Sequence, residues 1–162
     1  MSKLSMLCAA ASLLATPLFA HAGDAATKEG ASAARGRYLV QISGCNDCHT
    51  PGYASGGGMV AQEQWLTGDR LGWHGPWGTT YPTNLRRYFA RVSETDWLKA
   101  ARAGKYRPPM PAPSLRDMSD NDLRSIYRFV HSLGAAGEEA PSYVAPGQAP
   151  AGPVVLFPMP PG

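Results

Sequence analysis

Cysteine, net charge and long apolar runs are all scarce in this sequence of 162 residues. It contains three cysteines, and two of them, Cys45 and Cys48, are too close together to staple distant parts of a fold. The formal net charge is only +3, which gives little support for a charged partner and argues against nucleic acid. Beyond the first residues, no stretch approaches the roughly 20 apolar residues of a membrane-spanning helix, so we expect no transmembrane segment in the mature chain.

The beginning of the chain has the features of an export signal. Lys3 supplies a positive charge, residues 4–14 form an apolar run, and the Ala-His-Ala of residues 20–22 is a small-residue cleavage site. We therefore expect a signal peptide over residues 1–22 and a periplasmic location. Cleavage would also remove Cys8, and the alternative is a lipoprotein.

Glycine and proline are abundant, and together they predict a fold rich in loops. The 18 glycines and 15 prolines are well above the roughly 12% expected of average chains. We expect one domain over residues 23–137, followed by a Pro-rich tail over 138–162 that either lies on the domain or is mobile. A small domain of this kind would gain stability from a large apolar cofactor, whose surface Trp65, Trp73 and Trp77 would cover.

Three segments are predicted to be helices, so the expected fold class is all-α, with about three main helices and long loops. The first covers about residues 28–42. The second begins at the capping residue Ser93 and ends at Gly104, and the third begins at Ser119 and ends at Gly134. The predicted core faces consist of Ala34, Tyr38, Leu39 and Ile42 in the first helix and of Leu123, Ile126, Tyr127, Val130 and Leu133 in the third.

The stretch GCNDCHTP, residues 44–51, carries Cys45 and Cys48 two residues apart, with His49 directly after the second cysteine. A structural zinc site would normally need a second pair of ligands, which the sequence lacks. A redox dithiol would be expected at the start of a helix that follows a strand. A covalent haem c explains all three residues, because the two thiols add to the porphyrin vinyl groups and the histidine becomes an axial ligand of the iron. We therefore predict one covalently attached haem.

The second axial ligand determines what such a site can do. The candidates are Met59, Met110, Met118, Met159, His74 and His131. Met110 is favoured because it lies between Pro109 and Pro111, which hold the backbone extended and donate no amide hydrogen. His74 stays an alternative, and Met110 could also be an exposed residue of a Pro-rich loop.

Four stretches resemble monohaem class I cytochromes c, and are especially similar to exported cytochromes and cytochrome subunits that pair with bacterial dehydrogenases. They are RGRYLVQISGCNDCHTPG (35–52), YPTNL (81–85), DWLKAARAGKYRPPMP (96–111) and LRDMSDNDLRSIYRFVHSLG (115–134). The resemblance implies a small fold wrapped around one haem, in which the first and last helices cross at Gly36, Tyr38 and Tyr127. It also implies that Met110, in the Met-Pro segment, ligates the iron.

With His49 and Met110 both bound, the iron has no open position, so we expect an electron carrier without catalytic residues. Its redox protein partners could be a dehydrogenase and a downstream oxidase or cytochrome. One alternative is a haem enzyme or gas-binding sensor with an open or labile distal position. Another is a fixed subunit of a dehydrogenase complex, with the tail from Glu138 as a docking strap. The basic stretch 86–107 could steer an acidic partner, balance the haem propionates or simply be solvated.

Overall fold

The computed structural model describes residues 30–150 and 152–158, so the predicted signal peptide lies outside the described residues. The elements in chain order are α1 (Ala33–Ile42), α2 (Cys45–His49), a 3₁₀ helix (Gln62–Gln64), β1 (Gly72–Gly75), β2 (Gly78–Thr80), α3 (Leu85–Phe89), α4 (Glu94–Ala103), α5 (Ala112–Arg116), α6 (Asp120–Ser132) and β3 (Val154–Leu156). Within these ranges, every helix is too short or too polar to cross a membrane.

The predicted ends of α4 and α6 are confirmed by their caps. The backbone N–H of Asp96 donates to Ser93 Oγ over 3.1 Å, and that of Asp122 donates to Ser119 Oγ over the same distance. Helix α4 ends at Gly104, whose φ of 59° lies in the left-handed region that glycine adopts without strain. These two helices therefore begin and end where local side-chain chemistry predicts.

Helix α1 crosses α6 at Gly36, and this contact organises the core. A Cβ added at Gly36 would lie 1.9 Å from the carbonyl oxygen of Ser125 and 2.8 Å from the Cβ of Phe129. The two backbones approach so closely that only glycine fits at this position. The crossing predicted at Gly36 is therefore confirmed.

The predicted core face of α1 was largely wrong. Tyr38 is 51% exposed and Ile42 is 60% exposed, whereas Leu39 and Val40 are buried beside Gly36. Because the glycine must face α6, the helix is rotated so that Tyr38 points away from the crossing. Tyr127 does lie half-buried on α6, where its hydroxyl donates to the Val92 carbonyl over 3.0 Å.

The core lies between α1, α3, α4 and α6. Leu123, Ile126 and Val130 are buried on the predicted face of α6, and Phe129, which we did not predict, is buried with them. Aromatic side chains from other segments complete this core: Trp65, Phe89 and Trp97 are all buried, with Phe89 packed edge-on against Trp97.

The all-α prediction is incomplete, because a small three-stranded sheet accompanies the helices in the order β2-β1-β3. Strands β1 and β2 form an antiparallel hairpin, and β3 from the tail pairs parallel to β1. The ring of Phe157 lies 5.9 Å from that of Trp73 and 5.0 Å from that of Trp77. In this fold Trp73 and Trp77 pack against Phe157 of the tail, a contact that we did not predict for them.

Most cations of the basic stretch 86–107 have partners within the fold. Arg87 and Arg91 both pair with Glu139, at 3.0 and 2.6 Å. Lys99 pairs with Asp96 at 3.2 Å, and Arg102 pairs with Asp120 at 2.5 Å. Arg86 is buried and donates to three backbone carbonyls, those of Glu63, Leu133 and Gly134. The charge of this stretch is thus largely used to hold elements together.

Candidate functional site

Helix α2 places Cys45, Cys48 and His49 on one face, because side chains three and four positions apart lie side by side on a helix. The helix starts directly after Gly44, whose φ of 70° makes the sharp turn from α1 possible. Both thiols are free and partly buried, and Cys45 packs against the hydrophobic core. The short helix therefore presents two sulfur atoms and one imidazole together.

His49 is buried, and a backbone carbonyl determines which of its nitrogen atoms carries the proton. Its Nδ1 lies 2.7 Å from the carbonyl oxygen of Thr83. Since a carbonyl can only accept, Nδ1–H donates to it and the lone pair of the neutral ring is left on Nε2. Burial lowers the pKa of His49, with the Thr83 carbonyl opposing that shift, so burial favours the neutral form. An imidazole held in this way is prepared to bind a metal through Nε2.

The two thiols lack the properties of a reactive dithiol. Burial raises the pKa of Cys45 to about 11, and the negative charge of Asp47 acts in the same direction. Burial also raises the pKa of Cys48, with further contributions from Asp47 and Asp69. Redox-active cysteines need a lowered pKa that supplies thiolate at neutral pH. The structure therefore offers no support for the dithiol interpretation.

Helix α2 is held in place by a framework of three chain segments, residues 66–68, 83–84 and 136–138. The backbone N–H of Gly68 donates to the carbonyl of His49 over 2.8 Å, and that of Leu66 donates to Thr50 Oγ1 over 2.8 Å. A Cβ at Gly68 would lie 2.7 Å from the backbone nitrogen of Asn84, so the segment that carries Thr83 packs directly on this one. The buried side chain of Asn84 donates to the carbonyls of Ala136 and Glu138, at 2.8 and 2.9 Å. The acceptor of the His49 proton is thus built into a rigid framework.

Met110 occupies a turn that closes just before α5. Its backbone N–H donates to the carbonyl of Arg107 over 3.2 Å, and its own carbonyl accepts from the N–H of Ala112 over 2.9 Å. The side chain is partly buried and packs against the hydrophobic core that Cys45 also contacts. Met110 is therefore a half-buried residue of an ordered turn, not an exposed residue of a Pro-rich loop.

The remaining candidates for the second iron ligand differ from Met110 in their burial or in their contacts. Met59 is 90% exposed, and Met118 packs against the core just before α6. His74 lies in β1, where its Nδ1 is 2.7 Å from Thr79 Oγ1. His131 is exposed and stacks on Tyr127. Met159 lies outside the described residues.

The donor set of this region fits a haem better than it fits a bare metal ion. Within residues 30–150 and 152–158, no three His, Cys, Asp or Glu side chains are grouped so that they could hold a metal ion. One buried donor of α2 itself has no hydrogen-bond partner: Asn46 Nδ2, next to Cys45. An N–H donor cannot bind a cation, so it suits an organic cofactor that carries acceptor atoms, such as a haem, better than it suits a bare metal ion.

Thr83 and Asn84 lie within the stretch YPTNL, but we predicted no role in the site for either of them. The contribution of Thr83 is a backbone carbonyl, which every residue type has, so no signal in the sequence could have identified it. Asn84 was a detectable case, because asparagine directly before a helix is a frequent cap, and its Oδ1 accepts from the N–H of Arg87 over 3.0 Å.

Comparisons with known proteins found partial similarity to two dehydrogenase subunits. No model of a known protein family matches the chain. No solved structure matches it significantly. It is 32% identical over 122 residues to the cytochrome c subunit of the quinone alcohol dehydrogenase of Gluconobacter oxydans, a match that covers 68% of this chain and 22% of that subunit. It is 31% identical over 120 residues to a subunit of the nicotinate dehydrogenase of Pseudomonas putida, a match that covers 67% of this chain and 9% of that protein.

The chain thus spans about a fifth of the first relative and about a tenth of the second. Over that part, it is similar to a cytochrome c subunit of one dehydrogenase and to a subunit of another.

Proposed function

We propose that this chain is a monohaem c-type cytochrome that carries single electrons between redox partners. One haem c is attached through thioethers to Cys45 and Cys48, and its iron is held between His49 and Met110. In this proposal the chain is an electron carrier, it is not itself an enzyme, and none of its residues is catalytic. In this proposal the predicted export signal over residues 1–22 directs the chain to the periplasm.

The observation that carries the proposal is the hydrogen bond from His49 Nδ1–H to the Thr83 carbonyl. This hydrogen bond fixes the orientation of the ring and keeps the proton on Nδ1. The lone pair of Nε2 is therefore free to bind a metal. The two neighbouring cysteines on the same helix face supply the covalent attachment. A histidine buried for purely structural reasons would not need Cys45 and Cys48 beside it on the same short helix.

The remaining residues determine what the site does. A haem held there supplies reversible one-electron chemistry, and a thioether ligand raises its reduction potential. Met110 would be the second protein ligand of the iron and would leave no open position for oxygen or a substrate. Cys45 packs against the core cluster that includes Leu39, Trp65 and Phe129, so one side of the attachment site is apolar. These roles favour electron transfer over the alternative of a haem enzyme or gas sensor.

The two relatives support a dehydrogenase as the electron donor, because both are named as dehydrogenase subunits. They also support a second form of the same function, in which the chain is a fixed cytochrome subunit of a dehydrogenase complex. The acceptor would be a downstream oxidase or cytochrome. Native purification from the source cells separates the two forms, since a mobile carrier elutes alone and a fixed subunit elutes with its dehydrogenase.

Optical and magnetic spectra of the purified protein in both redox states test the proposal. We expect haem that resists extraction by acidified organic solvent, the weak red absorption band that ferric haem shows when methionine sulfur is bound, and slow binding of carbon monoxide to the reduced form. Met110→Ala should abolish the red band and make carbon monoxide binding fast, because it opens the axial position. Met59→Ala is the matched control, since this methionine is almost fully exposed.

Two results would contradict the proposal. A Met110→Ala protein with an unchanged red band would assign the axial position to another methionine, and Met118, which also packs against the core, would then be the next to replace. Rapid carbon monoxide binding by the unmodified reduced protein at neutral pH would favour the haem enzyme or gas sensor.

A further inference from the structure

The turn that carries Met110 starts at Arg107, and the side chain of Arg107 reaches the C-terminal tail. The Arg107 carbonyl accepts the N–H of Met110, so the backbone position of the arginine also positions the methionine. The guanidinium carbon of Arg107 lies 4.0 Å from the centre of the Tyr143 ring, which is the geometry of a cation–π contact. Tyr143 therefore packs on Arg107, the residue whose carbonyl accepts the hydrogen bond of the Met110 turn.

Tyr143 is itself anchored to the β1–β2 hairpin. Its hydroxyl donates to the Trp77 carbonyl over 2.7 Å. The next residue, Val144, exchanges two backbone hydrogen bonds with Thr79, of 2.8 and 3.0 Å. At Gly78 the two backbones touch, because a Cβ there would lie 2.2 Å from the Val144 carbonyl oxygen. The ring that contacts Arg107 is therefore held against a sheet and not on a free tail.

The tail is fastened a second time farther along the chain. Strand β3 pairs with β1, and the N–H of Phe157 donates to the His74 carbonyl over 2.8 Å. The Phe157 ring packs on Trp73 and Trp77. The first attachment holds Tyr143 between the hairpin and Arg107, and the second fastens a later part of the tail to the same hairpin.

We propose that Arg107 and Tyr143 are positioning residues, and that together they form a clamp through which the C-terminal tail holds Met110 in its ligand position. This inference rests on the proposed function. A thioether is a weak ligand, so the fraction of molecules in which Met110 is bound to the iron falls when the turn that carries it opens more often. Opening this turn moves Arg107 and must break its contact with Tyr143, so the clamp shifts the equilibrium toward the closed turn.

The test compares the holoprotein with Tyr143→Leu, Arg107→Gln and the double variant. We expect Tyr143→Leu to bind carbon monoxide in the reduced form about tenfold faster and to weaken the red methionine band, because it loses one hydrogen bond and a partly exposed cation–π contact. Arg107→Gln loses only the cation–π contact, so its carbon monoxide binding should be accelerated by a smaller factor. The double variant should be no faster than Tyr143→Leu, because both changes remove the same contact. Tyr143→Phe should have a smaller effect, since the ring stays on Arg107 and only the bond to Trp77 is lost.

Leu156→Ser is the control, because this residue lies in the same tail and is 73% exposed. Thermal unfolding of every variant shows whether a faster reaction merely reflects a less stable fold. If the unmodified protein shows the red band but the Tyr143 and Arg107 variants bind carbon monoxide at an unchanged rate, the clamp is wrong and the Met110 ligand stands. An unmodified protein without the band would overturn the Met110 ligand and the clamp with it.

Discussion

At the scale of single residues, the contact between α1 and α6 depends on the absence of a side chain at Gly36. The nearest atoms to a Cβ at this position would be the carbonyl oxygen and carbon of Ser125, at 1.9 and 2.5 Å. Both belong to the backbone, so neither can move aside without a shift of the whole helix. A single methyl group should therefore separate the two helices.

We expect Gly36→Ala to lower the free energy of unfolding by about 2–4 kcal/mol, in spite of the better helix propensity of alanine. Chemical denaturation followed by circular dichroism measures the loss. Gly30→Ala is the matched control, since a Cβ there has no atom within 4 Å and should leave stability nearly unchanged. Equal stability of the two variants would mean that α1 and α6 do not touch at Gly36.

The residues of the candidate site differ in how well a sequence can reveal them. Cys45, Cys48 and His49 are adjacent along the chain, so their spacing alone shows that they can share one helix face. The Thr83 carbonyl is 34 residues away from His49 and has no side-chain signature. Which nitrogen atom of the histidine is free could therefore be decided only by the folded chain.

At the scale of elements, the longer helices α4 and α6 could be predicted from their caps, whereas the five-residue helices were not predicted. Ser93 and Ser119 act on their own helices through bonds to residues three positions on, which are visible in the sequence. Helices α3 and α5 have five residues each and the strands three or four, too few for a hydrophobic period to show. The strands form because the tail supplies β3 as a partner for β1.

Arg86 shows how one element completes another. It lies on α3, is itself buried, and donates to the carbonyls of Leu133 and Gly134 just after α6 and to that of Glu63, so it joins three segments of the chain. We expect Arg86→Gln to destabilise the fold by about 2–4 kcal/mol in chemical denaturation. Arg91→Gln removes only an exposed pair with Glu139 and should cost less than about 1 kcal/mol. Similar losses in both variants would contradict this role of Arg86.

At the scale of the whole molecule, the described part of the C-terminal tail, up to residue 158, belongs to the fold. Its apolar residues were expected to lie on the domain or to be mobile, and a docking strap for a dehydrogenase was one interpretation. In the described residues, Val144, β3 and Phe157 all contact the β1–β2 hairpin of the same chain. What a partner could still reach on this strand is its outer side, where Leu156 is exposed.

We expect Phe157→Ala to lower the free energy of unfolding by about 1–3 kcal/mol, because the ring packs against both Trp73 and Trp77. Leu156→Ala, one position earlier, should change it by less than about 0.5 kcal/mol. Thermal unfolding of the two variants makes the comparison. If Phe157→Ala unfolds at the temperature of the unmodified protein, the tail does not stabilise the domain.

The sequence by itself determined what depends on neighbouring residues: the shared face of Cys45, Cys48 and His49, the caps of α4 and α6, and the prolines around Met110. The tertiary structure decided what depends on distant ones. Examples are the carbonyl that orients His49, the helix face that Gly36 turns inward and the tail residue that covers Arg107. The physical reason is that local spacing and capping act over one helical turn, which a sequence displays directly. Contacts such as that of Tyr143 with Trp77 join residues 66 positions apart, and only the packed chain selects them.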